Sequence, residues 1–377
     1  MNLNIESNQR TNFLEFIKKE IVLIISVSLA ILSCIFSVPK LSYIDFNVLI
    51  LLFNLMIVVS SFNELKVLDS IATKILKGCT SYTSITFTLV FITLISSMFV
   101  TNDVALITFV PLTIIIGKKA NFNPMKIIIF QTIAANLGSS FTPMGNPQNL
   151  FIYSFYKLDI IDFFKSTFPL LLISIILLIF FILKEKNKKL KIQLKTIDIK
   201  NKKEVIVFSI LFFIILLSVF HLADYRFTFL ITILTVLLFN KSLFFKVDYS
   251  LLLTFIGFFV FIGNISTLDS VKNFMEQILN SKQATFTYSI IVSQVISNVP
   301  ATMLLSGFTN SVRELLLGVN IGGLGTLIAS LASVISFKLY SNEFPEESNS
   351  YLRSFTFYNI LGLAIIIPLI YLILFCI

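Results

Sequence analysis

The sequence predicts an all-α membrane protein with about nine transmembrane helices and two re-entrant hairpins, arranged as inverted structural repeats. The first supporting observation is composition: of 377 residues, 56% are hydrophobic and 13% are charged, and the mean hydropathy is +0.93. So few polar side chains cannot cover the surface of a water-soluble globule. The second is a series of apolar runs, each near the roughly 20 residues that cross about 30 Å of hydrocarbon. The third is that the order of these runs repeats.

The predicted elements follow a polar N-terminal segment, residues 1–20. Nine crossings are predicted: 21–38, 45–61, 127–156 (broken), 164–184, 205–220, 225–240, 247–266, 312–340 (broken) and 354–376. Two more apolar stretches, 81–117 and 284–311, carry polar residues at mid-length and are predicted to be hairpins that enter and leave on one side. Before each hairpin lies an amphipathic segment, 63–80 or 267–283, that suits a helix lying along the membrane interface.

The order span, span, interfacial helix, hairpin, broken span, span occurs in 21–184 and again in 225–377. One crossing, 205–220, separates the two halves, so the second half enters the membrane from the opposite side. Such inverted repeats are typical of alternating-access carriers. The linker 185–204 belongs to a stretch with nine lysines, counted from Lys184, and is predicted to be solvated and cytoplasmic.

The location of the positive charge predicts the topology. The net charge is +9, and with the N-terminus and the linker in the cytoplasm most of the 29 basic residues fall on the cytoplasmic side. This bias is the one seen in inner-membrane proteins. We therefore predict a multi-pass protein of the cytoplasmic membrane with a cytoplasmic N-terminus, in contact with lipid, and we expect no nucleic-acid partner.

The metal-binding and redox residue types are sparse. Cys34, Cys79 and Cys376 share no metal-ligand or redox spacing, so we expect no disulfide, no structural metal and no cofactor. His221, the single histidine, lies at the end of a predicted span, which favours a loop or interface role over a proton relay.

Each predicted hairpin has a polar tip. Thr101, Asn102 and Asp103 interrupt the first apolar stretch, and Ser297 and Asn298 interrupt the second. Backbone at membrane depth is broken where it is buried in protein or lines a cavity. We therefore predict a binding site at the tips, where oxygen atoms can coordinate a cation and helix N-termini can attract an anion. The alternative is polar contact between packed helices.

The two broken spans are rich in glycine and in polar residues. Unwound backbone at mid-membrane frees carbonyls and amides, so these breaks predict the other wall of the site, with simple kinks as the alternative. The candidate residues in the breaks and on the second hairpin are Thr142, Pro143, Gly145, Asn146, Pro147, Asn149, Pro300, Thr302, Gly322, Gly323, Gly325 and Thr326.

These motifs together resemble the ion transporter superfamily, over nearly the whole chain after about residue 20. The clan contains arsenite efflux permeases, proton-linked sodium antiporters, citrate transporters and divalent-anion/sodium symporters. The resemblance rests on four motifs: Thr-Asn-Asp-Val-Ala-Leu followed by Val-Pro, Thr-Pro-Met-Gly-Asn-Pro-Gln-Asn, Ser-Asn-Val-Pro-Ala-Thr and Gly-Gly-Leu-Gly-Thr. Residues 247–259 are similar to the arsenite-permease side, with Tyr249 in place of tryptophan.

In the symporters of this clan the tips read Ser-Asn-Thr and bind sodium and the substrate carboxylate. The resemblance therefore implies these roles for Thr101, Asn102, Ser297 and Asn298, with transient Na⁺ at Asn102, Asp103 and Asn298. It also implies a homodimer. The third tip position departs from the pattern, because Asp103 and Val299 replace threonine. The coupling ion therefore stays open between Na⁺ and H⁺.

Asp103 is the single acidic residue that we expect at membrane depth. A carboxylate there is costly enough to indicate function, as a cation ligand or a proton acceptor. The alternative is a helix cap, a position that aspartate favours. We expect no Arg or Lys in the core, so an anion would be held by hydroxyls, amides, helix N-termini and a co-bound cation.

The sequence thus indicates a secondary active transporter for a small anion, a carboxylate or an inorganic oxyanion, coupled to Na⁺ or H⁺ as a symporter or antiporter. The alternatives are a proton-driven cation antiporter of the Na⁺/H⁺ type and an arsenite efflux permease. A channel would need a continuous polar path through the protein. An enzyme is not expected, since the sequence shows no pairing of a nucleophile with a base.

Overall fold

A computed structural model describes residues 20–190 and 195–376. These residues form 17 α-helices and no β-strand, so the predicted all-α class is confirmed. The first half (residues 21–184) contains α1 (Ile21–Ser33), α2 (Phe46–Glu64), α3 (Val67–Leu76), α4 (Tyr82–Val100), α5 (Asn102–Lys119), α6 (Met125–Ser139), α7 (Pro147–Phe155) and α8 (Ile160–Leu183).

After the linker, α9 (Lys202–Val219) leads to the second half (residues 225–376). That half contains α10 (Tyr225–Phe239), α11 (Tyr249–Ile265), α12 (Asp269–Ile278), α13 (Lys282–Ile296), α14 (Asn298–Ser306), α15 (Val312–Gly322), α16 (Leu331–Glu343) and α17 (Ser348–Phe375). Short 3₁₀ turns lie at Leu41–Tyr43, Lys241–Lys246, Leu327–Ala329 and Pro345–Glu347. Most of the predicted N-terminal segment, and residue 377, lie outside the described residues.

Four helices among the described residues are long and apolar enough, by length and composition, to cross a membrane: α2, α4, α8 and α17 together with the turn before it. One more candidate is α11 with α12, a pair bent by 103°. The predicted first span, 21–38, is shorter in the structure because α1 ends at Ser33. The count of nine crossings stays a prediction.

Short polar side chains set the starts of many helices. Asp45, Asp159, Asn201, Asp224 and Asp248 each accept a hydrogen bond from a backbone N–H in the first turn of α2, α8, α9, α10 and α11, respectively. This contact satisfies a donor that the helix itself leaves unpaired. The caps place the helix ends at the borders between polar and apolar sequence.

Both hairpins return to the end from which they start. The Tyr82 ring, at the start of α4, lies 5.3 Å from the Phe122 ring, just beyond the end of α5. In the second half, Thr285 near the start of α13 and Thr309 after α14 have hydroxyl oxygens 3.1 Å apart. The polar residues Thr101 and Ser297 therefore lie at the far tips of two helical hairpins.

The two halves pack against each other reciprocally, so that a contact made by a helix of one half has a counterpart made by the matching helix of the other. Helix α1 packs along α11, where Asn264 Nδ2 donates to Ser33 Oγ at 3.0 Å. Reciprocally, α10 packs on α2, where Asn54 Nδ2 lies 3.5 Å from Thr228 Oγ1. The same exchange recurs deeper in the molecule: α5 contacts α16 of the second half, and α14 contacts α7 of the first. Each hairpin thus meets the broken helix of the other half.

The described part of the Lys-rich linker is largely exposed, but it is hydrogen-bonded to the first half. The Tyr82 backbone N–H donates to the Lys188 carbonyl at 2.8 Å, and the Leu190 N–H donates to the Thr80 carbonyl at 2.9 Å. Farther along, the Ile197 N–H donates to Thr73 Oγ1 at 3.1 Å. The linker therefore runs as a strap over α3 and the base of the first hairpin. These contacts could not be predicted from local sequence because they join distant parts of the chain.

Candidate functional site

The two hairpin tips have the same backbone conformation. Thr101 has φ 71° and ψ 152°, and Ser297 has φ 75° and ψ 154°. Such a positive φ is uncommon for residues other than glycine and marks strained backbone, which concentrates at functional sites. Neither side chain caps the helix that follows it. In α5 the N–H groups of Asn102 and Asp103 are already bonded, to the Gly145 carbonyl and to Asn102 Oδ1, so each tip presents to a ligand the positive end of a helix dipole.

The first tip is held by the broken helix that follows it. The Asn102 N–H donates to the Gly145 carbonyl at 3.2 Å, and Asn102 Nδ2 donates to Asn136 Oδ1 at 3.2 Å. Thr142 Oγ1 donates to the Met98 carbonyl at 2.5 Å, which ties the break to the end of α4. The unwound segment between α6 and α7 thus positions the tip.

The second tip is supported in a related way. Gln294 Nε2 donates to the carbonyls of Gly322 and Leu324 at 2.7 and 3.0 Å, and Gln294 Oε1 accepts from the Thr326 N–H at 2.9 Å. Ser297 Oγ donates to the Ala329 carbonyl at 3.3 Å. The break between α15 and α16 is therefore fastened to the last turn of α13.

Two buried asparagines connect each half to the break of the other half. Asn136, on α6, accepts from Ser330 Oγ at 2.9 Å and donates to the Gly323 carbonyl at 3.3 Å. Asn320, on α15, donates from Nδ2 to Asn149 Oδ1 at 2.7 Å, and its Oδ1 accepts from Asn146 Nδ2 at 3.1 Å. We did not single out either asparagine from the sequence. The available signal was their shared position, two residues before Gly138 and Gly322.

A cavity of about 120 Å³ lies between the tips. Asn102 and Asp103 line it from the first tip, Ser297 and Asn298 from the second, and Ser330 from the second break. A neighbouring cavity of about 250 Å³ shares Asp103 and extends toward α2. The structure thus brings together two tips that are nearly 200 residues apart in sequence.

Charged groups line these cavities in an arrangement that the sequence did not predict. Asp248, the cap of α11, lines both cavities together with Asp103, and Glu20 lines the smaller one. Lys246 lines the larger cavity and forms an ion pair of 2.9 Å with Glu64. Asp103 Oδ1 is buried and has no hydrogen-bond partner among the described residues. Helix packing thus brings the exposed residues Asp248 and Lys246 to the cavity walls, and the expectations of a single acidic residue at membrane depth and of a core without Arg or Lys stay predictions.

The predicted site residues separate into two groups. Lining the smaller cavity are Asn102, Asp103, Pro147, Ser297, Asn298 and Pro300, and the larger one adds Thr101 and Asn146. The other candidates do not line either cavity, and they are Thr142, Pro143, Gly145, Asn149, Thr302, Gly322, Gly323, Gly325 and Thr326.

Residues of the second group support the backbone around the site. Asn149 Nδ2 donates to three carbonyls of the first break, including that of Thr142 at 3.0 Å. Thr302 Oγ1 donates to the Asn298 carbonyl within α14 at 2.7 Å. Gly325 has φ 104°, a conformation that favours glycine. Asn149 and Gly325 therefore shape the breaks, Thr302 bonds within α14, and none of the three lines either cavity.

His221 lies in the turn between α9 and α10 and stacks on Tyr153, with ring centroids 5.0 Å apart and planes 2° from parallel. Burial lowers the pKa of its imidazole, and the nearby Lys157 ammonium lowers it further. The imidazole lines neither cavity.

The chain matches the family model of the citrate transporter over residues 13–314. It is 38% identical to the uncharacterized transporter MJ0456 of Methanocaldococcus jannaschii over 318 residues, which is 84% of this chain and 87% of the relative. It is 28% identical to the inner membrane protein YbiR of Escherichia coli over 301 residues, covering 78% of this chain and 80% of the relative.

A shorter match links the chain to the putative transporter arsB of Dictyostelium discoideum, 34% identical over 146 residues, which is 37% of this chain and 26% of the relative. Relatives named as transporters and the apolar helices together indicate a multi-pass membrane transporter. The chain belongs to the citrate transporter family, within the ion transporter superfamily that its motifs resemble.

Proposed function

We propose that the protein is a secondary active transporter that moves a small anion, a carboxylate or an inorganic oxyanion, by alternating access coupled to Na⁺ or H⁺. The observation that carries this proposal is the cavity between the two hairpin tips. Asn102 and Asn298 line it at the N-terminal ends of α5 and α14, where amide groups and helix dipoles attract negative charge.

A co-bound cation or proton is part of this proposal because the cavity is acidic. Asp103 and Asp248 line it, and two carboxylates repel an anion unless they are protonated or paired with a cation. Na⁺ would be coordinated by Asn102, Asp103 and Asn298, and H⁺ would be carried by Asp103. Either ion lowers the electrostatic repulsion that an anion meets between the tips. The flux of the anion is thereby coupled to the flux of Na⁺ or H⁺.

The alternating-access part of the proposal is supported by the reciprocal packing of the two halves. Asn136 and Asn320 each join one half to the break of the other, so movement of one half against the other changes both walls of the cavity. We further propose a homodimer in the inner membrane with the N-terminus in the cytoplasm, following the family resemblance and the distribution of positive charge.

A second candidate is a proton-driven cation antiporter. The observation that favours it is the buried Asp103 Oδ1, which has no hydrogen-bond partner among the described residues and lines the same cavities as Asp248. These two carboxylates can form a cation site, because the nearby Lys246 ammonium is paired with Glu64. An arsenite efflux permease is a third form of the same fold and would share the tips.

The test is solid-supported-membrane electrophysiology on proteoliposomes that contain the wild type or Asn102→Ala. Both proteins are exposed to citrate, succinate, sulfate, arsenite, Na⁺ jumps and pH jumps. We expect a saturating current for one anion that requires Na⁺ or H⁺ and disappears in Asn102→Ala. Asn273→Ala, an exposed change on α12, is the matched control and should leave the current unchanged.

A current only with Na⁺ or pH jumps would move the assignment to cation antiport. A current for arsenite alone would support the efflux permease. Flux that does not saturate and shows no counterflow would contradict a carrier and indicate a channel.

A further inference from the structure

A third cavity, separate from the hairpin tips, lies at the base of the first hairpin. It has a volume of about 530 Å³. Its walls come from the start of α4, the turn after α5, the start of α6 and the linker beyond α8. The cavity therefore lies where the strap crosses the open end of the hairpin.

The walls of this cavity carry a positive excess. Four lysines line it, Lys126, Lys184, Lys186 and Lys188, together with one acidic residue, Glu185, which gives a net charge of +3. Lys126 Nζ contacts both Glu185 oxygens, at 2.7 and 3.0 Å, so this pair neutralises itself. The ammonium groups of Lys184, Lys186 and Lys188 are left to attract an anion.

The cavity adjoins the apolar surface of the protein. On α8, just before the linker, the side chains of Phe180 and Leu183 are 48% and 66% exposed. Lys184 Nζ lies 5.3 Å from the centre of the Phe180 ring, so the charge follows directly after the apolar surface. A ligand at this border would have its charged end in the cavity and an acyl chain on α8. A phospholipid has this combination of groups.

The strap and the hairpin base meet at the same place. The Thr83 N–H donates to Asn187 Oδ1 at 3.2 Å, and the backbone bonds of Lys188 and Leu190 to α4 and Thr80 lie beside it. Lys186 and Lys188 stand on either side of Asn187. An anion held by these two lysines would reduce their mutual repulsion and favour the docked strap.

We propose that this cavity binds the phosphate of an anionic phospholipid headgroup, and that the bound lipid stabilises the strap against the first hairpin. The three ammonium groups donate to the phosphate oxygens, and the acyl chains lie along Phe180 and Leu183. The proposal rests on the charges and the position of this cavity and not on the identity of the transported ion.

The test uses the purified full-length protein in a neutral detergent. Its melting temperature is measured with added phosphatidylglycerol, with phosphatidylcholine and with inorganic phosphate, and lipid adducts are counted by native mass spectrometry. We expect phosphatidylglycerol alone to raise the melting temperature, by about 3 °C, as ligand binding to the folded state requires. Native spectra should show one tightly held phosphatidylglycerol per chain.

The decisive variant is Lys186→Gln/Lys188→Gln, which should lose both the shift and the adduct. Lys202→Gln/Lys203→Gln is the matched control, because it removes the same charge at the other end of the linker, outside the cavity, and should keep both. An equal loss in the two double variants would overturn the proposal, since the effect would then be general surface charge. An equal shift with inorganic phosphate would also overturn it, because the ligand would then be a soluble anion.

If Lys186→Gln/Lys188→Gln unfolds, the full test is repeated with Lys186→Gln alone. A lipid shift and adduct that survive in this single variant at wild-type strength would contradict the proposal.

Discussion

The two hairpin tips have nearly the same backbone but different chemistry. Thr101 and Ser297 share their dihedral angles, and the asparagines that follow are 5% and 4% exposed. The next position is Asp103 in the first tip and Val299 in the second. The helix beyond the tip has 18 residues in the first half and nine in the second. The two tips therefore line one cavity with the same backbone conformation, but the first tip alone of the two contributes a carboxylate to it.

The support of the tips differs as well. Asn102 of the first tip donates to the buried Asn136, which also contacts the second half. The counterpart of Asn136, Asn320, contacts Asn146 and Asn149 of the first break and not a tip. The structure therefore links the first tip directly to the contact between the halves. Three predictions test this comparison, and a fourth concerns a site away from the tips.

The largest expected effect is on stability, at the two places behind the tips where helices pack closely: α6 against α4, and α15 against α13. A Cβ on Gly138 would overlap the Leu94 backbone carbonyl, whereas a Cβ on Gly322 would lie 2.7 Å from the Ser293 side chain. We expect Gly138→Ala to lower the free energy of unfolding by about 3 kcal/mol and Gly322→Ala by about 1–2 kcal/mol, since the approach to the Leu94 carbonyl oxygen is closer than the 2.7 Å approach to Ser293 Cβ. Thermal melting in detergent measures both.

Gly78→Ala is the control for this series, because the nearest atom to its Cβ would be 3.7 Å away. Its melting temperature should lie within about 1–2 °C of that of the wild type, because surface substitutions change stability little. Equal losses of unfolding free energy in Gly138→Ala and Gly322→Ala would show that the two helix contacts are packed equally tightly.

The second prediction separates the tips by charge. Asp103→Asn should reduce coupled transport by about 100-fold, equivalent to about 2.7 kcal/mol, because it removes the carboxylate that we propose binds the coupling ion. Val299→Asn adds the same amide at the matched position of the second tip and should change transport less than about 3-fold, or about 0.7 kcal/mol. Initial rates in proteoliposomes, across a range of pH, measure both variants.

Wild-type rates and an unchanged pH profile in Asp103→Asn would show that Asp103 only stabilises the N-terminus of α5. A large loss in Val299→Asn would show that the second tip is equally sensitive to polarity.

The third prediction compares Asn136 and Asn320, the two asparagines that form hydrogen bonds between the halves. Asn136→Ala and Asn320→Ala each leave buried polar partners unsatisfied, so each should lower the free energy of unfolding by about 1–2 kcal/mol. We expect Asn136→Ala also to raise the half-saturating substrate concentration by about 10-fold, since Asn102 loses its partner. Asn320→Ala should leave that concentration nearly unchanged.

Concentration series of transport currents, measured beside melting temperatures, check this pair. A similar rise in the half-saturating substrate concentration in both variants would contradict a special role for Asn136 at the first tip.

The smallest expected effect lies outside the tips, at His221. Its pKa is lowered in the folded protein, so below about pH 6.5 the unfolded chain binds the proton first and the stability falls as the pH falls. We expect the melting temperature to drop by about 1 °C more in the wild type than in His221→Gln between pH 7.5 and pH 5.5. A parallel decline in the two proteins would indicate that other groups control acid stability.

Much of the architecture was predictable from local sequence. Apolar runs and polar interruptions are properties of neighbouring residues, so the all-α class and the location of both tips followed from composition and spacing. Boundaries were less predictable: α1 ends at Ser33 although the apolar run extends to residue 38. Helix ends depend on capping and on neighbours that hydropathy does not report.

The sequence by itself determined that the chain is a helical membrane protein and that Asn102 and Asn298 are candidate ligands. Only the tertiary structure showed that Asn136 and Asn320 cross between the halves, that Asp248 and Lys246 approach the tips, and that the linker is docked. The physical reason is sequence separation. The bond from Asn136 to Gly323 joins residues 187 positions apart, and such a contact depends on how whole helices pack and not on the local pattern.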